Sequence, residues 1–279
     1  MYAVAGASGQ LGRLALAELA ARVGAGQVVA LARDPAKLDE AGVAVRLADY
    51  DKPETLAPAL AGVERLLLIS GNAVGARVAQ HAAVIEAAKA SGVKLIAYTS
   101  ILHADSSTIG LAQEHRETEA LLRASGVSFV LLRNGWYNEN YTGMLAPSIA
   151  HGAIIGAAGE GRIASASRAD YAAAAATALV GAKGGEVYEL AGDEAFTMGQ
   201  FAAEVSRQAG KPVAYVDMSK DDYAAALESA GLPGFVAQML ADSGFESSKD
   251  QLFDASHMLS ALIGRPTTPI AATIAAALG

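Results

Sequence analysis

The sequence predicts an α/β fold: a doubly wound parallel sheet with a small, mostly helical lobe toward the carboxyl end. Three observations predict it. Short apolar runs alternate with helical periodicity through the first half of the chain. Several of those runs are continuous, as in Leu66-Leu67-Leu68-Ile69, the pattern of parallel strands covered on both faces. The first strand also runs straight into a glycine-punctuated turn that opens a helix.

Taken in order, Tyr2-Ala3-Val4-Ala5 reads as the first buried strand. The turn Gly6-Ala7-Ser8-Gly9-Gln10-Leu11-Gly12 follows, and the spacing of Leu14, Leu16, Ala17, Leu19 and Ala20 predicts a helix over 10–22. Further strands are predicted at 27–32, 44–48, 65–69, 94–99 and 127–132, with helices near 54–61, 76–91 and 111–124. Gly92 and Gly126 fall where helix C-caps belong. Beyond residue 150, Gly152, Gly156, Gly159 and Gly161 mark turns, and Asp170 reads as the N-cap of an Ala-rich helix. Val187-Tyr188-Glu189-Leu190 reads as one more strand. Thr197 to Gln200 and Ser219 to Asp222 resemble capping boxes, each starting a helix, and loops fall at Gly231 to Gly234 and Gly264 to Pro266. The predicted organisation is a nucleotide domain over 1–134, to which 162–192 returns, and a lobe made of 135–161 and 193–279.

The glycine turn carries chemistry as well as topology. A strand, a tight turn and a helix N-terminus make an anion cradle, with backbone N–H groups and the positive end of the helix facing a diphosphate. Gly6 allows the sharp turn, Gly9 lets the backbone approach the ligand, and Gly12 lets the helix pack close to the strand. The second strand ends in Arg33-Asp34-Pro35, where an NAD site usually places a carboxylate for the ribose hydroxyls. Asp34 reads instead as a cap with Pro35 at the first helical position, which leaves Arg33, with Lys37 one turn on, to receive a 2′-phosphate. The expected cofactor is therefore NADPH (NADP).

Composition excludes other classes. The chain of 279 residues is 52% hydrophobic, enough for a large core, and its net charge of −8 without a basic run argues against nucleic acid. With no cysteine there is no disulfide, zinc-thiolate site or thiol nucleophile, and five scattered histidines without H-E-x-x-H predict no metal site. No apolar run reaches the roughly 20 residues that span a bilayer, and the chain starts on a core strand rather than a secretory leader, so a soluble cytoplasmic protein is expected.

Several segments are not generic to such sheets: Ala48-Asp49-Tyr50, Ala97-Tyr98-Thr99-Ser100, Leu102-His103-Ala104-Asp105, Glu114 to Glu119, Leu132-Arg133-Asn134-Gly135-Trp136-Tyr137 and Ile163 to Tyr171. Together with Val4 to Gly12 and Arg33-Asp34-Pro35 they resemble, over the whole chain, the NmrA-like branch of the atypical short-chain dehydrogenase/reductases, nearest to its quinone- and triphenylmethane-dye-reducing members. The resemblance implies that Gly6, Ala7, Ser8, Gly9, Gln10 and Leu11 hold the pyrophosphate and Arg33 the 2′-phosphate. Gly71, Asn72 and Ala73 would approach the central ribose, and Asn134, Gly135, Trp136, Tyr137, Asn138 and Glu139 would surround the nicotinamide. It also implies an NADPH-dependent quinone reductase, with a homodimer as a common assembly. The alternative it implies is a non-catalytic NADP-binding redox sensor or regulator of the NmrA type. Trp136 and Tyr137 are placed either to wall the ring or to pack between lobes, and Asp49 either to accept from adenine N6–H or to help cap the helix near Asp51.

Many short-chain dehydrogenases place a Tyr and a Lys four residues apart on one helix face, so that the lysine lowers the tyrosine pKa. None of the nine tyrosines here has a lysine four residues on. The corresponding helix carries His115 and Glu119, and His115 shares the inward stripe of Leu111 and Leu122, where a structural histidine and a catalytic one remain alternatives. Tyr98 and His103, with Thr99 and Ser100, lie at the fifth strand's catalytic edge and complete the candidates for proton transfer or quinone orientation. Hydride addition to a quinone leaves a phenolate-like oxygen, of pKa about 10, which needs little help from a donor. The missing pair therefore suits quinones better than simple ketones, and equally suits binding without turnover.

Overall fold

The structure is a computed structural model that describes residues 1–38 and 41–279. Six strands, β1 (Tyr2–Ala5), β2 (Val28–Ala32), β3 (Ala44–Leu47), β4 (Arg65–Leu68), β5 (Leu95–Ile101) and β6 (Ser128–Asn134), follow the apolar runs of the first half. A short strand of the second lobe, β7 (Ala153–Gly156), precedes the seventh strand of the main sheet, β8 (Val187–Leu190). The main sheet is parallel throughout, in the order β3-β2-β1-β4-β5-β6-β8. This is the doubly wound arrangement expected from the alternation.

Period-two side-chain alternation sends successive residues of each strand to opposite faces. Val4, Ala30, Leu67, Ala97 and Val130 join the core under α1 (Gln10–Val23) and the later helix α7 (Arg168–Gly181). The intervening Ala3, Ala5, Val29, Leu66, Leu68, Ile96 and Tyr98 join the core under α2 (Leu56–Ala59), α3 (Arg77–Ala90) and α4 (Ala112–Ser125). Every residue of β2 and β5 is buried, as the continuous apolar runs require. Gly126 ends α4 in the left-handed conformation.

The lobe starts with α5 (Asn138–Thr142) and α6 (Leu145–His151), and the chain then returns to the sheet through α7 (Arg168–Gly181). Alanines at 172–176 of α7 are all buried, and their small side chains let this helix lie beside α1 on one face of the sheet. The rest comprises α8 (Met198–Ala209), β9 (Ala214–Asp217), α9 (Lys220–Ser229), α10 (Gly234–Ser247), α11 (Met258–Ile263) and α12 (Ile270–Leu278). A separate core gathers Leu145, Ile154, Phe196, Phe201 and Val205 of this region with Ile101, Ile109 and Ala112. By contrast, Leu259 of α11 is buried in the core shared by α1 and α7.

Three local expectations are corrected. Ser167, not Asp170, is the N-cap of α7: its Oγ accepts from the Asp170 N–H, and Asp170 at N3 reaches back to the Ser167 N–H. Asp170 Oδ1 accepts from Arg265 at 2.6 Å, and Oδ2, the capping oxygen, also accepts from the Thr268 N–H at 2.8 Å, tying the tail to α7. The glycine-marked turns at 152–161 contain β7, which pairs in parallel with β9 in a two-stranded sheet, so the lobe is not purely helical. Each strand is only four residues long and lacks a clear alternation, and the pairing spans some sixty positions, which no local pattern reveals. The helix expected near 54–61 is a 3-10 turn, Pro53–Thr55, followed by the single turn α2.

Candidate functional site

The strand order reverses direction at β1, whose neighbours β2 and β4 lead to opposite edges of the sheet. Ligands of open parallel sheets bind at such a switch point, outside the carboxyl ends of the strands. A cleft of about 580 Å3 opens there.

Its floor is the glycine turn. Gly6 has φ +75°, and the Gly9 N–H closes the turn on the Gly6 carbonyl at 3.1 Å. A Cβ on Gly12 would lie 2.3 Å from the Gly6 carbonyl oxygen and 2.8 Å from Ala7 Cα, so only glycine lets α1 pack this close. A Cβ on Gly9 would meet nothing nearer than that same oxygen at 3.4 Å and would otherwise occupy the cleft it lines. Gly9 caps α1 without a side-chain partner, and no acid stands in the first turn. The first helical N–H groups and the positive end of the helix are thus left to the cleft, a donor set suited to a diphosphate. Gly6, Ser8, Gly9, Gln10 and Leu11 line the cleft, while Ala7 is buried in the core beneath it.

On the adenosine side, Arg33 is exposed at the rim, at the end of β2. A cation there, with no carboxylate at the strand tip, suits a 2′-phosphate. The short 3-10 turn Pro35–Leu38 follows, opened by the Asp34 carbonyl accepting from Lys37 N–H at 3.3 Å. Asp49 lines the cleft and closes a turn, since its Oδ1 accepts from the Asp51 N–H at 3.2 Å and its own N–H donates to Thr55 Oγ1 at 2.9 Å. Gln80 and Asp51, joined by a 2.8 Å hydrogen bond, complete this wall. Gln80 was not legible as a site residue, because α3 shows only an ordinary helical pattern there.

Gly71, Asn72 and Ala73 line the cleft past β4. This loop makes few hydrogen bonds to itself. The Ser70 N–H donates to Thr99 Oγ1 at 2.8 Å, the Gly71 N–H to His81 Nε2 at 3.0 Å and the Gly75 N–H to Glu114 Oε1 at 2.7 Å. Arg77 Nε donates to the Gly71 carbonyl at 2.7 Å.

The segment from Asn134 to Glu139 divides. Tyr137 lines the cleft, stacked edge-on against Tyr171 at 5.3 Å, with the Arg168 guanidinium 4.6 Å above its ring. Arg168, to which the sequence assigned no role, also lines the cleft. Asn134 is buried and its Oδ1 has no hydrogen-bond partner among the described residues. The other four are not part of the cleft wall. Gly135 fits where a Cβ would stand 3.0 Å from the Tyr171 hydroxyl. Trp136 packs into the core of the second lobe. Asn138 is fully buried, its Nδ2 donating to Thr268 O and Thr273 Oγ1 and its Oδ1 accepting from Ser165 Oγ, which leaves it nothing for a ligand. The Glu139 carboxylate accepts from the Arg168 N–H at 3.0 and 3.1 Å, at the start of α7.

The three candidates for proton transfer do not line the cleft. Tyr98 is fully buried on the α3 and α4 face of the sheet, with its hydroxyl 2.8 Å from His115 Nδ1. Burial pushes the Tyr98 pKa up, and it drives that of His115 down to about 3, with Arg77 and His81 adding to the effect. Both are neutral at ordinary pH, and neither lines the cleft. His103, at φ +52°, turns the other way, 3.7 Å from the carboxylates of Glu189 and Asp254 and 3.2 Å from the Phe253 carbonyl.

Beyond the cleft, a buried Arg133 bridges Glu119, through Nε and Nη2, to Glu189 at 2.8 Å and Asp105 at 3.1 Å, joining α4, β6, β8 and the loop after β5. No helix among the described residues is long and apolar enough to cross a membrane.

Residues 6–180 match the family model described as NAD(P)H-binding. The chain is 55% identical to quinone oxidoreductase 2 of Escherichia coli, over 98% of this chain and 97% of that one. It superposes on the crystal structure of that NADPH-dependent enzyme complexed with NADPH with a TM-score of 0.98 over 100% of both chains. Triphenylmethane reductase of Citrobacter sp., complexed with NADP(H), is 36% identical and superposes with a TM-score of 0.95, also over 100% of both chains. An NAD(P)H azoreductase of Xenophilus azovorans is 30% identical over 87% of this chain and 86% of its own. With its parallel sheet, glycine turn and switch-point cleft, the chain belongs to the NAD(P)H-binding family, in the branch that holds quinone oxidoreductase 2 and triphenylmethane reductase.

Proposed function

We propose that this protein is an NADPH-dependent reductase that passes hydride directly to quinones, or to similar conjugated electrophiles, without a flavin. The observation that carries the reading is full-length agreement with an NADPH-bound quinone oxidoreductase, around a cleft whose own donors suit that cofactor. When bound, NADPH supplies the hydride. The chain's part is to bind, orient and shield. Gly6 to Leu11 hold the diphosphate on the first turn of α1, and Arg33 takes the 2′-phosphate in a charge-assisted contact. Asn72, presented on the loop past β4, borders the ribose, and the Tyr137 ring, braced by Tyr171 and Arg168, walls the nicotinamide. Asn134, at the end of β6, has a buried carboxamide oxygen without a partner among the described residues and is the candidate for the nicotinamide carboxamide.

None of Tyr98, His103 and His115 lines the cleft, which agrees with a quinone acceptor. The reduced oxygen is phenol-like, of pKa about 10, and leaves as the anion or takes its proton from water. What accelerates the step is face-to-face placement at near-attack distance. The cytoplasm as compartment and a pair of identical chains as assembly go with this reading, and light scattering on the purified protein measures the second. The experiment for the reaction is NADPH oxidation followed by stopped flow against a panel of simple quinones and cationic dyes. Turnover of a quinone is the expected result. Tight NADPH binding with no quinone or dye reduced would overturn the enzyme reading in favour of a redox sensor.

A further inference from the structure

The loop between β4 and α3 carries Gly71, Asn72 and Ala73 onto the cleft wall, and its own backbone closes only two short turns, Val74 N–H to Asn72 O and Ala76 N–H to Ala73 O, both at 3.0 Å. Its backbone groups are held by side chains from three other elements. Gly71 is gripped on both sides, its carbonyl by Arg77 Nε at 2.7 Å and its N–H by His81 Nε2 at 3.0 Å. Arg77 is itself buried against Glu114, whose other oxygen takes the Gly75 N–H. The Gly71 N–H is partly buried, and withdrawing such a donor from water without an acceptor costs about as much as a lost hydrogen bond, so the imidazole stabilises this loop conformation.

The hydrogen bonds also fix which imidazole nitrogen carries the proton. The Gly71 N–H can only donate, so Nε2 must accept and bear no proton. The proton of the neutral ring then sits on Nδ1, 3.0 Å from Thr118 Oγ1, and the Thr118 hydroxyl passes its own hydrogen to the Glu114 carbonyl at 2.9 Å. Each polar atom of the relay thus has one role, and the ring has no second arrangement that preserves all the bonds. His81 is fully buried, faced by Arg77, His115, Tyr98 and Glu114 from α3, α4 and β5, and touches neither cleft nor solvent.

We propose that His81 is a positioning residue for cofactor binding: its Nε2, oriented by Thr118, sets the Gly71 peptide and so presents Asn72 at the ribose end of the cleft. This rests on the cleft being the NADPH site. His81 acts only through the loop, so its loss weakens cofactor binding more than it slows hydride transfer in the saturated enzyme.

The test is NADPH affinity by calorimetry on the full chain, with KM and kcat for quinone reduction alongside. His81→Leu keeps the volume and removes the acceptor; the expected result is a Kd and KM for NADPH raised on the order of tenfold, the equivalent of one lost buried hydrogen bond, with kcat within about threefold. His81→Gln, which can return an oxygen near the place of Nε2, restores most of the affinity. Ile85→Ala, one turn further along α3 and buried in the core, lowers Tm but leaves Kd unchanged. Thr118→Val is isosteric and carries the test if His81→Leu does not fold, with a severalfold rise in Kd expected. A wild-type affinity in His81→Leu or, failing its folding, in Thr118→Val overturns the proposal. An equal loss of affinity in Ile85→Ala does so too. Failure of the wild-type protein to bind NADPH overturns the assignment of the cleft itself, a separate outcome.

Discussion

Two of the loops that line the cleft are built on opposite principles. The loop from Gly6 to Gly12 holds itself: a positive φ at Gly6, one turn hydrogen bond to its own carbonyl, and a helix that starts at once on bare amides. The loop from Ser70 to Gly75 is held from outside, by Thr99, His81, Arg77 and Glu114 on β5, α3 and α4. The first shape follows mostly from which residues lie next to one another, with one contact from outside, the Ala7 N–H to the Leu31 carbonyl of β2 at 3.2 Å. The second exists only once three other elements have docked. The first loop is therefore mostly a property of local sequence, and the second a property of the packed molecule.

Substitution separates the two kinds of glycine in the first loop. Gly12→Val should have the largest effect, because even its Cβ would overlap the Gly6 carbonyl at 2.3 Å and force α1 off the sheet. A loss above about 3 kcal/mol in denaturant unfolding, or no soluble protein, is expected. Gly9→Ala should leave Tm nearly unchanged while weakening NADPH, since its methyl enters the space the diphosphate needs. Calorimetry and thermal melts on the same sample check both, and a Gly9→Ala protein that binds NADPH normally would remove the cradle.

Arg33→Glu should come next. Losing a charged contact to the 2′-phosphate and adding repulsion costs about 1.5–3 kcal/mol or more, so NADPH should bind some tenfold to a hundredfold more weakly while NADH is little affected. Equal losses for both cofactors would show that this side chain does not read the phosphate.

The held loop predicts an acid limit instead. Burial, with Arg77 beside it, lowers the His81 pKa from 6.5 to about 3, and His115 is lowered likewise. A histidine whose folded pKa is depressed takes up its proton more readily when unfolded. Its contribution to stability is therefore full above about pH 6.5 and is lost as pH falls toward 3. Each such histidine adds a slope of up to about 1.4 kcal/mol per pH unit within that window. Urea unfolding across pH 7 to 4 should show the decline, and His81→Gln should make it shallower by about one proton.

The smallest expected effect is on turnover in His115→Ala. The ring is buried between α4 and β5 and does not line the cleft, so quinone reduction should fall by less than about tenfold when folding is intact. A loss beyond about a hundredfold would restore His115 as a general acid–base.

Where sequence and structure agree and where they part follows the same division. The strands of the first six runs emerge within a residue or two of their expected ends, the inner ones because a parallel strand covered on both faces is largely apolar along its length. The C-cap glycine at 126 and the capping box at Thr197 and Gln200 were equally plain, each depending on contacts within a few residues. Asp170 was misplaced by three positions because Ser167, a weaker-looking neighbour, had the extended backbone that a cap needs. The strands β7 and β9 were missed altogether, since each is four residues long and has meaning only beside the other.

The sequence by itself determined the parallel sheet, the glycine cradle and the cation at the tip of the second strand. Apolar continuity, glycine spacing and the strand-end position are all short-range quantities. Only the tertiary structure decided that Tyr98 and His115 do not line the cleft, that Asn138 is consumed by Thr268, Thr273 and Ser165, and that His81 holds Gly71. Those outcomes turn on which face of a strand or helix meets which partner tens of residues away, and the free energy of such contacts is realised only when the layers close.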